Sequence, residues 1–316
     1  VGTPSNTSAN GEAQGPAAKT MSGGPLGQSE LERRAGVLIE ALPYIRSFAG
    51  KSFVIKYGGS AMSDPALQQA VITDLVLLKY VGLHPVVVHG GGGRLSQWMR
   101  RLGMEPRFVE GLRVTDAETM QLAQMVLVGS VNQEIVALIN RMGGRAVGLS
   151  GTDGNLIVAR KRQTPGKEAV DLGFVGEVEK VNAGLIHLLE RDGYIPVISS
   201  IGVGLSGEPY NINADTVAGE VAAALKADKL ILLTDVRGVM EDPADPGTLI
   251  STLDVEQARH LVTGHAVKEG MIPKLEACVK ALEAGVPRAH IIDGRREHAL
   301  LLELFTDRGI GTMVVG

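Results

Sequence analysis

Val54-Ile55-Lys56-Tyr57-Gly58-Gly59-Ser60 and Val87-Val88-His89-Gly90-Gly91-Gly92-Gly93 are two apolar runs that each break into glycine. Short, β-branched and bounded by glycine, each run reads as a buried strand. A helical pattern follows each loop, over 65–80 and over 95–102. Strand, glycine turn and helix, twice in succession, is the grammar of a parallel α/β sheet. Ligands of such sheets bind at the carboxyl ends of the strands. Glycine lets the backbone approach a bulky anion, and a helix N-terminus offers free N–H groups. One such loop reads as a tight turn; two together point to a cradle for several phosphate oxygens.

Outward from these loops the alternation continues. Strand patterns fall at 144–149, 156–159, 196–199, 229–233, 289–292 and 312–315, with helical patterns over 117–142, 183–191, 214–225, 254–261, 271–284 and 298–305. Residues 160–180 and 201–213 read as hairpin excursions. The expected architecture is a three-layer αβα sandwich around a mostly parallel open sheet. Ahead of it, Leu31, Ala35, Leu38, Ile39 and Leu42 recur at helical spacing. Ser29 is the expected N-cap, with Glu32 three residues on, and Pro43 is expected to end or kink this extra N-terminal helix. Residues 1–28 carry almost no large apolar side chain and are expected to be a disordered tail, the remainder of a transit sequence or an added leader.

Composition narrows the function. With 316 residues and a net charge of -4, the chain lacks the basic excess of a nucleic-acid or anionic-membrane binder. Aromatics are 3%, too few for base-stacking platforms. The single cysteine, Cys278, sits in an apolar pattern and excludes an internal disulfide or a multi-cysteine metal site. Two nucleotide motifs are also excluded. The GxGxxG spacing from Gly90 or Gly91 falls on Leu95 or Ser96, and Gly50-Lys51-Ser52 lacks the first glycine of a P-loop and precedes its strand.

Lys56-Tyr57-Gly58-Gly59, His89-Gly90-Gly91-Gly92, Gly111-Leu112-Arg113-Val114-Thr115, Asn211-Ile212-Asn213-Ala214-Asp215, Leu233-Thr234-Asp235-Val236-Arg237-Gly238-Val239 and Gly270-Met271-Ile272-Pro273-Lys274 occur in the order found in the amino-acid kinase family. From about residue 30 to 316 the chain resembles the members that act on N-acetyl-L-glutamate. The resemblance implies the amino-acid kinase fold, with an acetylglutamate-binding and dimerisation lobe over 29–218 and a nucleotide-binding lobe over 219–316. It implies transfer of the γ-phosphoryl group of ATP to the side-chain carboxylate of the substrate, in arginine biosynthesis. A carboxylate with a pKa of about 4 is already ionised and needs no general base. The obstacle is charge, so catalysis should rest on positioning and electrostatic stabilisation.

By resemblance, Lys56 and Lys274 flank the transferring phosphoryl group and Asp215 organises their ammonium groups. Asp215 also reads as an N-cap for the helix after it. Gly58, Gly59, Gly90, Gly91 and Gly92 cradle phosphate and substrate. Arg113 holds the α-carboxylate through its planar fork, and Asn211 and Asn213 meet the acetamido end. Thr234, Asp235, Val236, Gly238 and Met271, with Lys56, Gly58, Gly59 and Lys274, take the nucleotide. Mg²⁺ would be held mainly by the ATP phosphates, with no protein metal site. His89 reads as structural, turning its loop, and no function attaches to Gly93.

Arginine-inhibited members carry a similar N-terminal helix and a C-terminal effector pocket. Tyr44, Lys229, His290, Glu303 and Gly309 match those positions, and a carboxylate such as Glu303 can accept a guanidinium. In such members the helices interlace dimers into a homohexamer. The likeness to enzymes of oxygenic phototrophs implies the PII signalling protein as a partner and a plastid location, the chloroplast stroma, with the cytoplasm as the alternative. Competing readings are another carboxylate or carbamate kinase of the family, or a non-catalytic arginine sensor. Arg113 and the Asn211/Asn213 segment argue against the first; Lys56, Lys274 and Asp215 argue against the second.

Overall fold

The computed structural model describes residues 28–163, 171–242, 245–264, 267–306 and 309–316. The expected tail lies outside them except for its last residue. The chain divides into two compact units, 1–43 and 44–316. Helix α1 (Gln28–Phe48) runs through the division with Pro43 inside it. One expectation changes here: Ser29 lies inside the described helix and is not its cap, while α1 continues past Pro43. A proline removes one N–H from the ladder, so only the bond to the carbonyl four residues earlier is lost. Leu31, Val37, Leu38, Ile39 and Leu42 are exposed along α1.

In the larger unit the alternation read from the sequence is realised. Its elements are β1 (Ser52–Tyr57), α2 (Pro65–Tyr80), β2 (His84–His89), α3 (Gly92–Arg101), β3 (Phe108–Val109), β4 (Leu112–Arg113), α4 (Ala117–Ala123), α5 (Gln133–Arg141), β5 (Ala146–Leu149), β6 (Ile157–Lys161), β7 (Gly176–Val181), α6 (Gly184–Arg191), β8 (Ile195–Ser199), β9 (Ile201–Val203), β10 (Pro209–Asn211), α7 (Ala214–Leu225), β11 (Lys229–Thr234), β12 (Thr252–Asp254), α8 (Val255–Thr263), α9 (Ile272–Glu283), β13 (Arg288–Asp293), α10 (Ala299–Leu304) and β14 (Thr312–Val315). The main sheet has eight strands in the order β12-β14-β13-β11-β1-β2-β8-β5. Every pairing in it is parallel except β13 with β14.

Alternation along the strands feeds two cores. Phe53, Ile55, Tyr57, Val87, Ile231 and Leu233 face α2 and α10 on one side. Val54, Val86, Val88, Leu230 and Leu232 face α7 and α9 on the other. Both faces are covered, which is why these strands read as continuous apolar runs. Cys278 is fully buried in the second core. The hairpin excursions are β6–β7 and β9–β10, which join into a four-stranded sheet; residues 164–170 of the first lie outside the described residues. The 218/219 lobe boundary expected from the resemblance falls inside α7, and the main sheet continues across β1 and β11.

Three features were not anticipated. A two-stranded ribbon, β3–β4, carries Arg113, and β12 adds an edge strand. The helix expected over 117–142 widens between α4 and α5 into a π-helical segment, Gln124–Asn132. Among the described residues, Ala117–Arg141 is the one helix long and apolar enough to cross a membrane. Met120, Leu127, Val131, Ile135 and Ile139 are nevertheless buried in the first core.

Candidate active site

Because β1, β2, β8 and β11 are parallel, their carboxyl ends deliver their loops to one edge of the sheet. The β1 and β2 loops meet there, with the Gly90 N–H donating to the Tyr57 carbonyl at 3.2 Å. A cavity of about 260 Å³ opens at this edge, lined by Lys56, Gly58, Gly59, Gly90, Gly91, Gly92, Arg113, Asn211, Asn213 and Asp215 among others. A second cavity, of about 390 Å³, is lined by Thr234, Val236, Gly238, Met240, Val267, Lys268, Gly270, Met271 and Lys274.

The centre of the site is a three-member ion cluster. Lys274 Nζ donates to Asp215 Oδ2 at 2.9 Å. Lys56 Nζ forms an ion pair with Oδ1 at 3.1 Å. The side chains of Lys56, Asp215 and Lys274 are 11%, 6% and 13% exposed. Burial pushes the Asp215 carboxyl up, but the two ammonium groups outweigh it and hold the group below its ordinary value. The cluster thus sets two ammonium groups against one carboxylate, beside the glycine loops that line the first cavity. Lys274 lines the second cavity while bonded to a residue that lines the first, so its ammonium stands at their junction.

Local sequence explains how these groups are held. Asn213 caps α7, its side-chain oxygen accepting from the N–H groups of Asp215 at 2.8 Å and Thr216 at 3.3 Å. This corrects the expectation that Asp215 is the cap. The cap lies two residues earlier, which frees the Asp215 carboxylate for the lysines and commits the oxygen end of the Asn213 amide, leaving its NH₂ end for a ligand. The Arg113 guanidinium bonds the Gly92 carbonyl at 2.8 Å and Ser96 Oγ at 2.7 Å, and lies 4.7 Å from the Phe108 ring centroid. Burial lowers its pKa, with Arg100 adding to the effect. Asn211 donates to Thr115 Oγ1 at 3.2 Å.

Thr234, Val236, Gly238 and Met271 line the second cavity, and the carboxylate of their neighbour Asp235 accepts the Ser60 N–H at 2.6 Å. Gly59, at φ +66°, lies so close that a Cβ there would strike the same carboxylate. Asp235 thus ties the β11 loop to the first glycine loop. Lys56, Gly58 and Gly59 line the first cavity only.

The residues matched to an effector pocket also meet, away from this edge. His290 Nδ1 donates to Glu303 Oε1 at 2.6 Å, and Lys229 Nζ donates to His290 Nε2 at 3.3 Å. Lys229 Nζ also lies 5.2 Å from the Phe48 ring centroid. Burial, reinforced by Arg288, pushes Lys229 down to about 8. Glu303 accepts the Ile310 N–H at 2.7 Å and abuts Gly309. Tyr44 reaches this region through an edge-on contact with Phe305, ring centroids 6.3 Å apart.

Sequence reasoning missed Leu127, Ser200, Met240, Val267, Lys268 and Gly270 as lining residues. Gly270 opens the motif quoted with Met271 and carries the same signal. Leu127 carries no local signal, because only tertiary packing brings a mid-helix leucine to a loop. Among the described residues, no group of three or more His, Cys, Asp or Glu could hold a metal.

Residues 51–293 match the profile of the Amino acid kinase family. A relative named acetylglutamate kinase from Desulforamulus reducens is 58% identical over 287 residues, spanning 91% of this chain and 99% of that protein. Another from the cyanobacterium Trichormus variabilis is 59% identical, spanning 90% and 94%. The solved N-acetylglutamate synthase from Neisseria gonorrhoeae, complexed with coenzyme A and N-acetyl-glutamate, superposes with a TM-score of 0.79 at 28% identity. It covers 89% of this chain, which spans only 63% of that protein's length. The same synthase complexed with coenzyme A and L-arginine gives a TM-score of 0.75 at 26% identity. Carbamate kinase from Giardia lamblia, at 16% identity and a TM-score of 0.59, shares the fold.

Proposed function

The chain belongs to the amino acid kinase family and is an ATP-using kinase, and we propose that it transfers the γ-phosphoryl group of ATP to the side-chain carboxylate of N-acetyl-L-glutamate. The observation that carries this reading is the Lys56–Asp215–Lys274 cluster at the junction of two cavities. The acceptor occupies the first cavity, its α-carboxylate on Arg113 and its acetamido group toward Asn211 and Asn213. ATP occupies the second, with its phosphates reaching over Lys274. One carboxylate oxygen forms a bond to the γ-phosphorus as the bond to the β,γ-bridging oxygen breaks, and ADP leaves with that electron pair. No proton moves in this step. Lys56 and Lys274 offset the charge of the equatorial and leaving oxygens, and Asp215 keeps the two ammonium groups apart and aimed. A Mg²⁺ ion would be held mainly by the nucleotide phosphates and would supply partial neutralisation of their charge, while Asp215 is engaged by the two lysines.

The test is ADP release with N-acetyl-L-glutamate against glutamate, aspartate and carbamate. A clear preference for the acetylated substrate is expected. Equal or greater activity with carbamate overturns the substrate assignment.

Feedback inhibition by arginine is the regulatory part of the proposal. The buried Lys229–His290–Glu303 cluster, its contact with Phe48 of α1 and the arginine-bound synthase support it. A guanidinium entering here shares Glu303 with His290. Inhibition then requires that arginine bind one of two arrangements more tightly. The exposed apolar residues of α1 favour burial against other copies of the chain, as in a hexamer of three dimers. A PII partner and a plastid location remain part of this reading through the cyanobacterial relatives. Glu303→Gln is expected to abolish inhibition by millimolar arginine while kcat stays within about twofold, since the residue is remote from the reacting atoms. Activity against arginine concentration measures it; unchanged sensitivity places the effector elsewhere.

A further inference from the structure

His89 ends β2 completely buried, immediately before the glycine loop. Both ring nitrogens are engaged. Nδ1 lies 2.8 Å from the Gly90 carbonyl oxygen, and Nε2 lies 3.0 Å from Asn132 Nδ2. A carbonyl only accepts, so Nδ1 carries the proton. Nε2 is then the acceptor and takes one N–H of the Asn132 amide, whose other N–H goes to the Val197 carbonyl at 2.8 Å. A second ring proton would meet a donor, so the ring stays neutral. Burial agrees, pushing its pKa down to about 4 against the opposing Gly90 bond.

The Gly90 bond has a consequence for the site. In a trans peptide the C=O and the following N–H point in opposite directions. Holding the Gly90 oxygen on the buried imidazole therefore turns the Gly91 N–H away from it, and Gly91 lines the first cavity. Gly91 sits at φ +153°, where a Cβ would strike Leu127 and meet Val131.

Leu127, Val131 and Asn132 all come from the π-helical segment Gln124–Asn132. At about 100° per residue, five residues of α-helix would leave Asn132 about 140° around the axis from Leu127. A turn closed by i→i+5 bonds is wider and turns less per residue, which brings Asn132 much closer to the face of Leu127. The widened turn thus lets one helix support Gly91 and hold His89 together. Gly148 on β5 completes the fit, since a Cβ there would strike Asn132 Oδ1.

We propose that Asn132 is a positioning residue for phosphoryl transfer: through His89 it fixes the Gly90 carbonyl and so aims the Gly91 N–H at the phosphoryl oxygens. This rests on the kinase reading above. Neither residue touches substrate, and neither moves a proton.

The test is Asn132→Asp, nearly isosteric but able only to accept when ionised. With the doubly protonated imidazole, Nδ1–H still holds Gly90 and the loop keeps its shape. When that ring loses a proton, the carboxylate retains Nε2–H, Nδ1 is left bare and the Gly90 bond is lost. Activity of the variant should then fall as pH rises through this new titration, which the facing carboxylate raises above the wild-type value. The wild type has no such limb from His89. At the alkaline end kcat is expected to be roughly 10- to 100-fold down, the scale of a misaimed group or weakened donor, with both KM values within about threefold. A variant profile parallel to wild type, or a KM effect without a kcat effect, overturns the proposal. ¹⁵N NMR of the wild-type imidazole is a second measurement, independent of activity and of the variant's folding. It should show the neutral Nδ1–H form at pH 7; the Nε2–H form overturns the proposal. If the wild type phosphorylates none of the four acceptors, the kinase reading fails, whereas an active wild type with a parallel Asn132→Asp profile fails only the positioning role.

Discussion

Lys274→Ala and Lys56→Ala are each expected to lower kcat by about 10²–10³, or about 2.7–4 kcal/mol of transition-state stabilisation, while KM for both substrates changes far less. The ammonium groups are two edges of one electrostatic device. Each faces the same buried carboxylate, and Lys274 stands where the two cavities meet. Their charge counts most when a bridging oxygen becomes a leaving group, a state reached after binding. Asp215→Asn should be at least as damaging, because it leaves two ammonium groups facing each other with no anion between them. Since Asp215 is held below the ordinary carboxylate range, it stays ionised through the neutral range, and no acid limb from it is expected above about pH 4. Steady-state kinetics with thermal melts checks both points. A loss of tenfold or less in both lysine variants removes them from the mechanism.

Arg113→Lys is expected to raise KM for N-acetyl-L-glutamate by roughly 10- to 100-fold, the scale of a lost hydrogen bond to a charged group at about 1.5–3 kcal/mol. KM for ATP should be nearly unchanged. Lysine keeps the charge but loses the fork. It also cannot span the Gly92 carbonyl and Ser96 hydroxyl that now fix the guanidinium plane against Phe108. Initial rates over a grid of both substrate concentrations separate the two KM values. A rise in the ATP term instead moves Arg113 to the nucleotide side.

The local layer of this protein is legible in its residue order. Apolar β-branched runs specified β1, β2, β8, β11 and β13, because strands buried on both faces tolerate little else. The glycine loops mark the carboxyl edge of the sheet, and the ordered motifs single out Lys56, Arg113, Asp215 and Lys274, which line the two cavities there. Tertiary structure decided how those parts meet. Lys274 reaches Asp215 across 59 positions, and Asp235 reaches the Ser60 N–H across 175. No local pattern records such a contact, because it arises from strand order and from which loops share an edge. The same limit explains the local misreadings. Asn213 and Asp215 are both good caps by type, and only the pull of two distant lysines on Asp215 assigns the cap to Asn213. The widened turn at Gln124–Asn132 is invisible in an apolar helical pattern. It exists where one helix must meet both a buried imidazole and a glycine loop, and that demand comes from packing.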